Sequence, residues 1–320
     1  MPTERESFKQ VTNFGDSALM NKLEYNLKTW FDWAFLRCGA WTNVSPPLPG
    51  AYGGDFSVLR RVEDRSFTDG TVYETARKDW VWETNVDYVD VNSTTQNPTS
   101  PASVFVNGVL ATPEYINYPQ GRVVFSDPLS TSDVVTATYS YRNVQVYIAD
   151  QAPWWNELQY RSFRVDDSHF QQLDNGSWAI GTNHRVQMPC IVIESVPRAI
   201  SRGYQLGDGA AWVEQDVLCH VLAETRFDRN NITDILRGQF DTSIWLFDND
   251  EVANAGAYPL DYRGEIVDSS KTFPALIDKD TGYRWETCRF MRTQVSEVEA
   301  INSRLYEGVV RLTCEVVLND

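Results

Sequence analysis

Cysteine, histidine and positive charge are scarce in this sequence, and a long apolar run is missing. The five cysteines, Cys38, Cys190, Cys219, Cys288 and Cys314, are odd in number and widely spaced, with no C-x-x-C pair. That excludes a disulfide framework and a zinc ribbon. Lys and Arg total 28 against 44 Asp and Glu, a formal charge of −16. Gripping a nucleic-acid backbone needs clustered Lys and Arg, so no specific nucleic-acid binding is expected. No stretch of 18 apolar residues is present, so no membrane helix is expected. The start, Met-Pro-Thr-Glu-Arg-Glu, is charged and lacks the apolar core of a secretory signal. The expected place of synthesis is the cytoplasm.

Aromatic residues are abundant: 11 Trp, 15 Tyr and 15 Phe in 320 residues. They imply large buried or interfacial surfaces. After a polar arm over 1–15, residues 16–37 read as a helix capped by Asp16 or Ser17. Leu19, Leu23, Leu27, Trp30 and Ala34 lie near one face, and Phe31, Trp33, Phe35 and Leu36 widen the apolar surface beyond one stripe. A helix apolar on more than one side is covered from several sides or meets a partner. Trp30, Phe31, Trp33, Phe35 and Leu36 are therefore the candidate interface.

The expected organisation is an N-terminal arm and helix over 1–50, a β-rich module over 51–150, a linker over 151–188 and an α+β module over 189–320. The β-rich module carries an alternating pattern at Trp80 and Trp82, and a hairpin signal where Asn107-Gly108 separates two apolar runs. Residues 134–148 read as one long antiparallel strand. The last module reads as a short strand at 189–194, a strand at 211–224, a helix at 232–247 capped by Asn230 or Asn231, and strands at 284–295 and 307–318. The fold class is α+β: an N-terminal helix, an antiparallel β-rich module, and a sheet with one packed helix.

No catalytic, cofactor or metal constellation stands out, and an enzyme is not the favoured reading. His220 neighbours Cys219 on a strand, where the two face opposite ways. His169 after Asp166-Asp167-Ser168 lacks a second ligand cluster. Asp248-Asn249-Asp250-Glu251 departs from a calcium loop at Val252 and Ala253, and reads as the end of a helix followed by a turn. Gly207-Asp208-Gly209 lacks the Lys-Ser of a phosphate loop. So acidic a chain offers many carboxylate pairs, which keeps a carbohydrate-acting enzyme as an alternative.

The run from Val104 through Asn107-Gly108 to Gly121-Arg122-Val123-Val124-Phe125 and 134–141 resembles a small β module of tailed-phage virion proteins. The run from Pro189-Cys190-Ile191-Val192-Ile193-Glu194 through 211–224 and 231–247 is similar to phage tail-terminator and neck proteins. The resemblance covers about two thirds of the chain, which also carries a β module and a leading helix that a plain terminator lacks. It implies a structural virion protein in the neck, a head–tail connector forming a homo-oligomeric ring through which DNA passes. Sixfold symmetry is favoured and twelvefold is next, with portal-side and tail-side rings as partners, no membrane, and no cofactor. The tail terminator, and a tail-tip, baseplate or fibre-attachment component, are the structural alternatives. Under this resemblance Asp208, Glu214, Asp248, Asp250 and Glu251 are candidate lumen-facing carboxylates, since an acidic wall repels phosphates.

Overall fold

The computed structural model describes residues 19–46, 55–63, 65–84, 86–88, 97–161, 170–173, 177–180, 184–203, 210–297 and 304–318. The chain is α+β and dominated by strands, and it opens on a helix, α1 (Leu19–Arg37). Eight strands follow: β1 (Trp41–Val44), β2 (Arg60–Arg61), β3 (Val72–Glu74), β4 (Ser103–Val106), β5 (Val109–Ala111), β6 (Tyr115–Asn117), β7 (Arg122–Val124) and β8 (Val135–Arg142). They form two four-stranded sheets, ordered β1-β8-β4-β5 and β2-β3-β7-β6. The sheets share one core of Val44, Tyr73, Trp80, Val104, Tyr118, Val123, Val135, Ala137, Tyr139 and Tyr141, and so form a small sandwich. At the Asn107-Gly108 hairpin both turn residues have positive φ, 51° and 78°, as a two-residue primed turn requires.

The long strand expected over 134–148 is broken. β8 stays in the sandwich, and β9 (Gln145–Ile148) runs parallel to β13 (Cys190–Gly203) in a different sheet. The two units are therefore joined by one strand that changes sheets at Arg142. β1 likewise pairs with β8, across the boundary expected at residue 50.

That second sheet has six strands, ordered β15-β16-β17-β14-β13-β9, built from β14 (Ala211–Ala223), β15 (Ser243–Phe247), β16 (Arg284–Glu297) and β17 (Tyr306–Leu318). Every pairing except β9 with β13 is antiparallel. Alternation divides the side chains between two faces. One face carries Ile191, Ile193, Val217, Cys219, Val221, Val310, Leu312, Cys314 and Val316 and is covered by α1, by α3 (Arg226–Arg237), by Val252 of α4 (Asn249–Ala255) and by α5 (Phe273–Leu276). More than one helix thus packs there. The opposite face offers Cys190, Val192 and Leu222 to α2 (Pro153–Arg161) and to a three-stranded sheet of β10 (Phe170–Gln172), β11 (Trp178–Ile180) and β12 (His184–Val186). The described residues of 151–188 therefore form a layer of the fold, with Trp154, Trp155 and Trp178 buried, where a linker was expected.

The helix expected over 232–247 divides into α3 and β15. Its cap is Thr225, whose hydroxyl accepts from the Asp228 amide at 3.0 Å. The Asp228 carboxylate accepts that hydroxyl in turn, at 2.6 Å. The turn after α3 places Asp241 at φ 62°. Ile244 and Leu246 then alternate inward as strand residues, a spacing that coincides over a few residues with helical periodicity.

Candidate functional site

α1 is held from both sides by its own chain. Leu23, Leu27, Trp30, Phe31 and Phe35 pack on the six-stranded sheet, where Trp30 stacks on Phe290 with centroids 5.4 Å apart. Leu36 packs the other way, against Trp41, Val81 and Val86. Polar side chains on its buried face finish backbone left open by the sheet. Asn26 Nδ2 donates to the Phe247 carbonyl at 3.0 Å, and its Oδ1 accepts from the Phe247 amide at 2.8 Å, as a neighbouring strand would. Glu24 accepts from the Ser195 amide at 2.7 Å, where the β13 ladder shifts register. Burial pushes the Glu24 carboxyl up from its ordinary range. Of the five candidate interface residues, Trp30, Phe31, Phe35 and Leu36 are buried within the chain, and Trp33 is half-buried beside Phe273. The width of apolar surface read from the sequence is thus largely the width of a helix wedged between two units.

A cleft of about 320 Å³ remains along this helix. Trp30, Trp33, Phe35 and Cys38 line one wall, and Ile235 and Gln239 the other. Ile235 is 43% exposed. Cys38 is the one exposed thiol of the five. Arg37 also lines the cleft; its guanidinium lies over Trp33, 5.3 Å from the ring centroid, and reaches the carboxylate of Asp87 at 3.8 Å.

The lumen candidates fall on different elements. Asp208 lies outside the described residues. Glu214 sits on β14 in an ion pair with Arg202. Asp248 is the N-cap of α4, not the tail of a helix; its carboxylate accepts from the Asp250 and Glu251 amides and from Lys22 Nζ at 2.8 Å. Lys22 also reaches Asp250 at 3.2 Å, while Glu251 faces solvent. The structure gathers Asp248, Asp250 and Glu251 at one helix terminus, with two of the three sharing a lysine.

A second cleft, of about 270 Å³, is polar and was not legible in the sequence. Lys28 and Asp32 of α1, Asp79 and Glu83 of the sandwich, and Arg142 at the strand crossing all line it, with Trp33, Trp82, Tyr258 and Phe273. Lys28 pairs with Asp32 at 2.7 Å and Arg142 with Glu83, both members of the latter pair buried. Asp79 Oδ1 is 3.7 Å from Arg142 Nη1. Burial, reinforced by Asp32 and Glu83 and opposed by Arg142 and Lys28, raises the Asp79 carboxyl to about 6. His220 is buried beneath Trp155, its Nδ1 2.8 Å from Glu307, with Cys219 on the opposite face. The 166–169 segment lies outside the described residues. Among the described residues no His, Cys, Asp and Glu group is arranged to hold a metal, and no helix is long and apolar enough to cross a membrane.

No protein-family model matches the chain, and no curated protein matches it.

Proposed function

We propose that this protein is a structural subunit of a tailed-phage virion, forming a homo-oligomeric ring in the neck between portal-side and tail-side rings. The observation that carries the assembly part is apolar surface left in solvent on a chain whose cores are filled. Val109, Leu110, Phe227, Phe240 and Val267 are each at least 60% exposed. Exposed apolar side chains of this size are available for contacts with other chains. The phage part rests on the sequence resemblance. The net charge of −16 suits a conduit along which DNA slides without being held.

Native mass spectrometry of the purified protein, together with particle averaging of virions, tests this. A closed ring of six copies is expected, with twelve as the second choice; monomers only in intact virions would overturn it. The polar cleft favours one reading of another class, a carbohydrate-acting enzyme. It holds the raised Asp79 carboxyl near the Arg142–Glu83 ion pair, with indole rings in the wall. Cleavage of capsular polysaccharide that is lost in Asp79→Asn would establish it in place of the ring.

A further inference from the structure

Two polar atoms of the polar cleft are buried without a protein partner, Arg142 Nε and Asp32 Oδ1. An unpaired buried donor or acceptor costs free energy, so such atoms are uncommon in a folded chain. Here they remain after the pairs that the chain does make. The Arg142 side chain is 3% exposed; its Nη2 goes to Glu83 and its Nη1 donates to the Trp80 carbonyl at 3.4 Å. Asp32 gives Oδ2 to Lys28 at 2.7 Å, which leaves Oδ1. Asp79 adds a carboxylate whose Oδ1 stands 3.7 Å from Arg142 Nη1, beyond hydrogen-bond distance. Its backbone is fixed on both sides, the amide donating to the Pro119 carbonyl at 3.0 Å and the carbonyl accepting from the Arg142 amide at 3.1 Å. Half-buried Trp82 and exposed Tyr258 add ring surface to the cleft, and neither meets another ring among the described residues. At about 270 Å³ the cleft lies just below the roughly 300–1,000 Å³ of drug-sized sites, which suits one small ring.

We infer that this cleft binds one neutral pyranose sugar, its hydroxyls meeting Arg142 Nε, Asp32 Oδ1 and the Asp79 carboxylate and its C–H face resting against Trp82 and Tyr258. This rests on the carbohydrate reading of the same cleft and names the ligand, without requiring that it be cleaved. A hydroxyl both donates and accepts, which an unpaired donor and an unpaired acceptor in one cleft call for. An ammonium supplies no acceptor for Arg142, and a carboxylate supplies no donor for Asp32. A sugar ring joins hydroxyl edges to apolar C–H faces, matching a cleft that joins a few placed polar atoms to aromatic walls. The choice of a neutral sugar follows from the charges. Asp32, Asp79 and Glu83 stand against Lys28 and Arg142, so a uronic acid would bring a fourth carboxylate to a site where carboxylates already outnumber cations.

Saturation-transfer NMR on the full-length protein tests this with D-glucose, D-galactose, D-mannose and N-acetyl-D-glucosamine, and with D-glucuronate as the acidic control. At least one neutral sugar should bind with a Kd on the order of 1 mM, the strength expected of so small a ligand, and glucuronate about tenfold more weakly or less. Tyr258→Ala removes an exposed ring and should weaken that sugar roughly tenfold with the melting temperature unchanged. Asp32→Ala removes the unpaired acceptor and should weaken it by about the same factor; if it also lowers the melting temperature, Tyr258→Ala alone decides. The inference is overturned if no neutral sugar binds at tens of millimolar, if Tyr258→Ala binds like the parent, or if glucuronate binds as tightly as the neutral sugars. If a neutral sugar binds as expected and no polysaccharide is cleaved, the inference stands and the enzyme reading fails. If capsular polysaccharide is cleaved by the parent and not by Asp79→Asn, while no single neutral sugar binds, the enzyme reading stands and the inference fails.

Discussion

The sandwich and the six-stranded sheet solve the same problem with different means. Seven of the eight sandwich strands have two to four residues, and only β8 reaches eight. In the other unit β13, β14, β16 and β17 run 13 or 14 residues, and β14 pairs with β17 along its whole length. Long ladders satisfy their own backbone, so the core on this sheet is mostly aliphatic and thiol side chains, joined by Trp30 and by five phenylalanines whose rings have no polar end. Short ladders leave backbone groups for side chains to satisfy, and the sandwich uses aromatics with polar ends. Trp80 stacks on Tyr139 at 4.2 Å and donates from Nε1 to the Arg77 carbonyl at 3.0 Å. Tyr139 donates its hydroxyl to the Phe56 carbonyl at 2.7 Å, and Tyr118 accepts from the Ala102 amide at 3.2 Å. The difference teaches that an aromatic-rich sequence does not by itself announce an interface; here much of that surface is internal mortar.

The largest expected effect lies in the sandwich. Trp80→Ala removes a fully buried indole, two ring contacts and a hydrogen bond, and should cost about 4 kcal/mol. Leu312→Ala in the sheet leaves a cavity under an intact ladder and should cost about 2–3 kcal/mol. Chemical denaturation of both variants, followed by tryptophan fluorescence and circular dichroism, measures the gap. A larger loss at Leu312 than at Trp80 would break the distinction between the two units.

The same contrast explains what was legible. The long strands at 211–223, 284–297 and 306–318 alternate for more than ten residues and stand out from sequence alone. So does the Asn107-Gly108 hairpin, because only a primed turn favours that dipeptide. β1 and β2 are too short for periodicity to register. The sheet change at Arg142 escapes notice because an apolar alternation resumes directly beyond it, but in shifted phase: Val135, Ala137, Tyr139 and Tyr141 are buried before the crossing and Val144, Val146 and Ile148 after it. Asn26 and Glu24 read as polar helix residues, and only the fold reveals that they complete a strand edge and a bulge. The polar cleft joins residues 28, 79, 142 and 258, distances that spacing cannot bridge. The candidate interface was visible as width of apolar surface, but not which part of that width the chain itself would cover.

A smaller effect sits where the two units meet. The Asp79 carboxyl is raised in the folded state, from 3.8 to about 6. The folded protein therefore holds the proton more tightly than the unfolded chain. The stability that this protonation contributes is present below pH 4 and is lost as pH rises through about 6. Two pH units correspond to about 3 kcal/mol, and partial exposure of the side chain reduces the expected slope to roughly 1–2 kcal/mol. Asp79→Asn should remove this part of the pH dependence and stabilise the protein at pH 7–8. Asn also tolerates the positive φ of 56° at that position. Melting curves from pH 4 to pH 8 compare the two. Parallel profiles for parent and variant would show that the junction does not couple protonation to folding.

The smallest effect on stability, and the sharpest reading of the sheet, comes from the thiols. Cys190, Cys219, Cys288 and Cys314 are all fully buried in β13, β14, β16 and β17, and the sandwich strands hold none. Burial pushes the Cys190 and Cys219 thiols up, and Cys288 rises as well through its hydrogen bond with Cys314 and through burial. A thiol reacts as thiolate, so these groups need both deprotonation and an opening of the sheet. Cys38 needs neither a strand to open nor a core to breach. A thiol reagent added to the native protein should modify one cysteine promptly, at position 38, and the other four only at the rate of global unfolding. Cys38→Ser should change stability by less than about 0.5 kcal/mol and abolish the prompt phase. A second thiol reacting promptly would mean that the long ladders open locally, and the sheet would then not be the more self-sufficient of the two units. Prompt reaction at Cys38 that disappears as protein concentration rises, with the other four unchanged, would place that thiol under a second copy while the sheet beneath it stays closed.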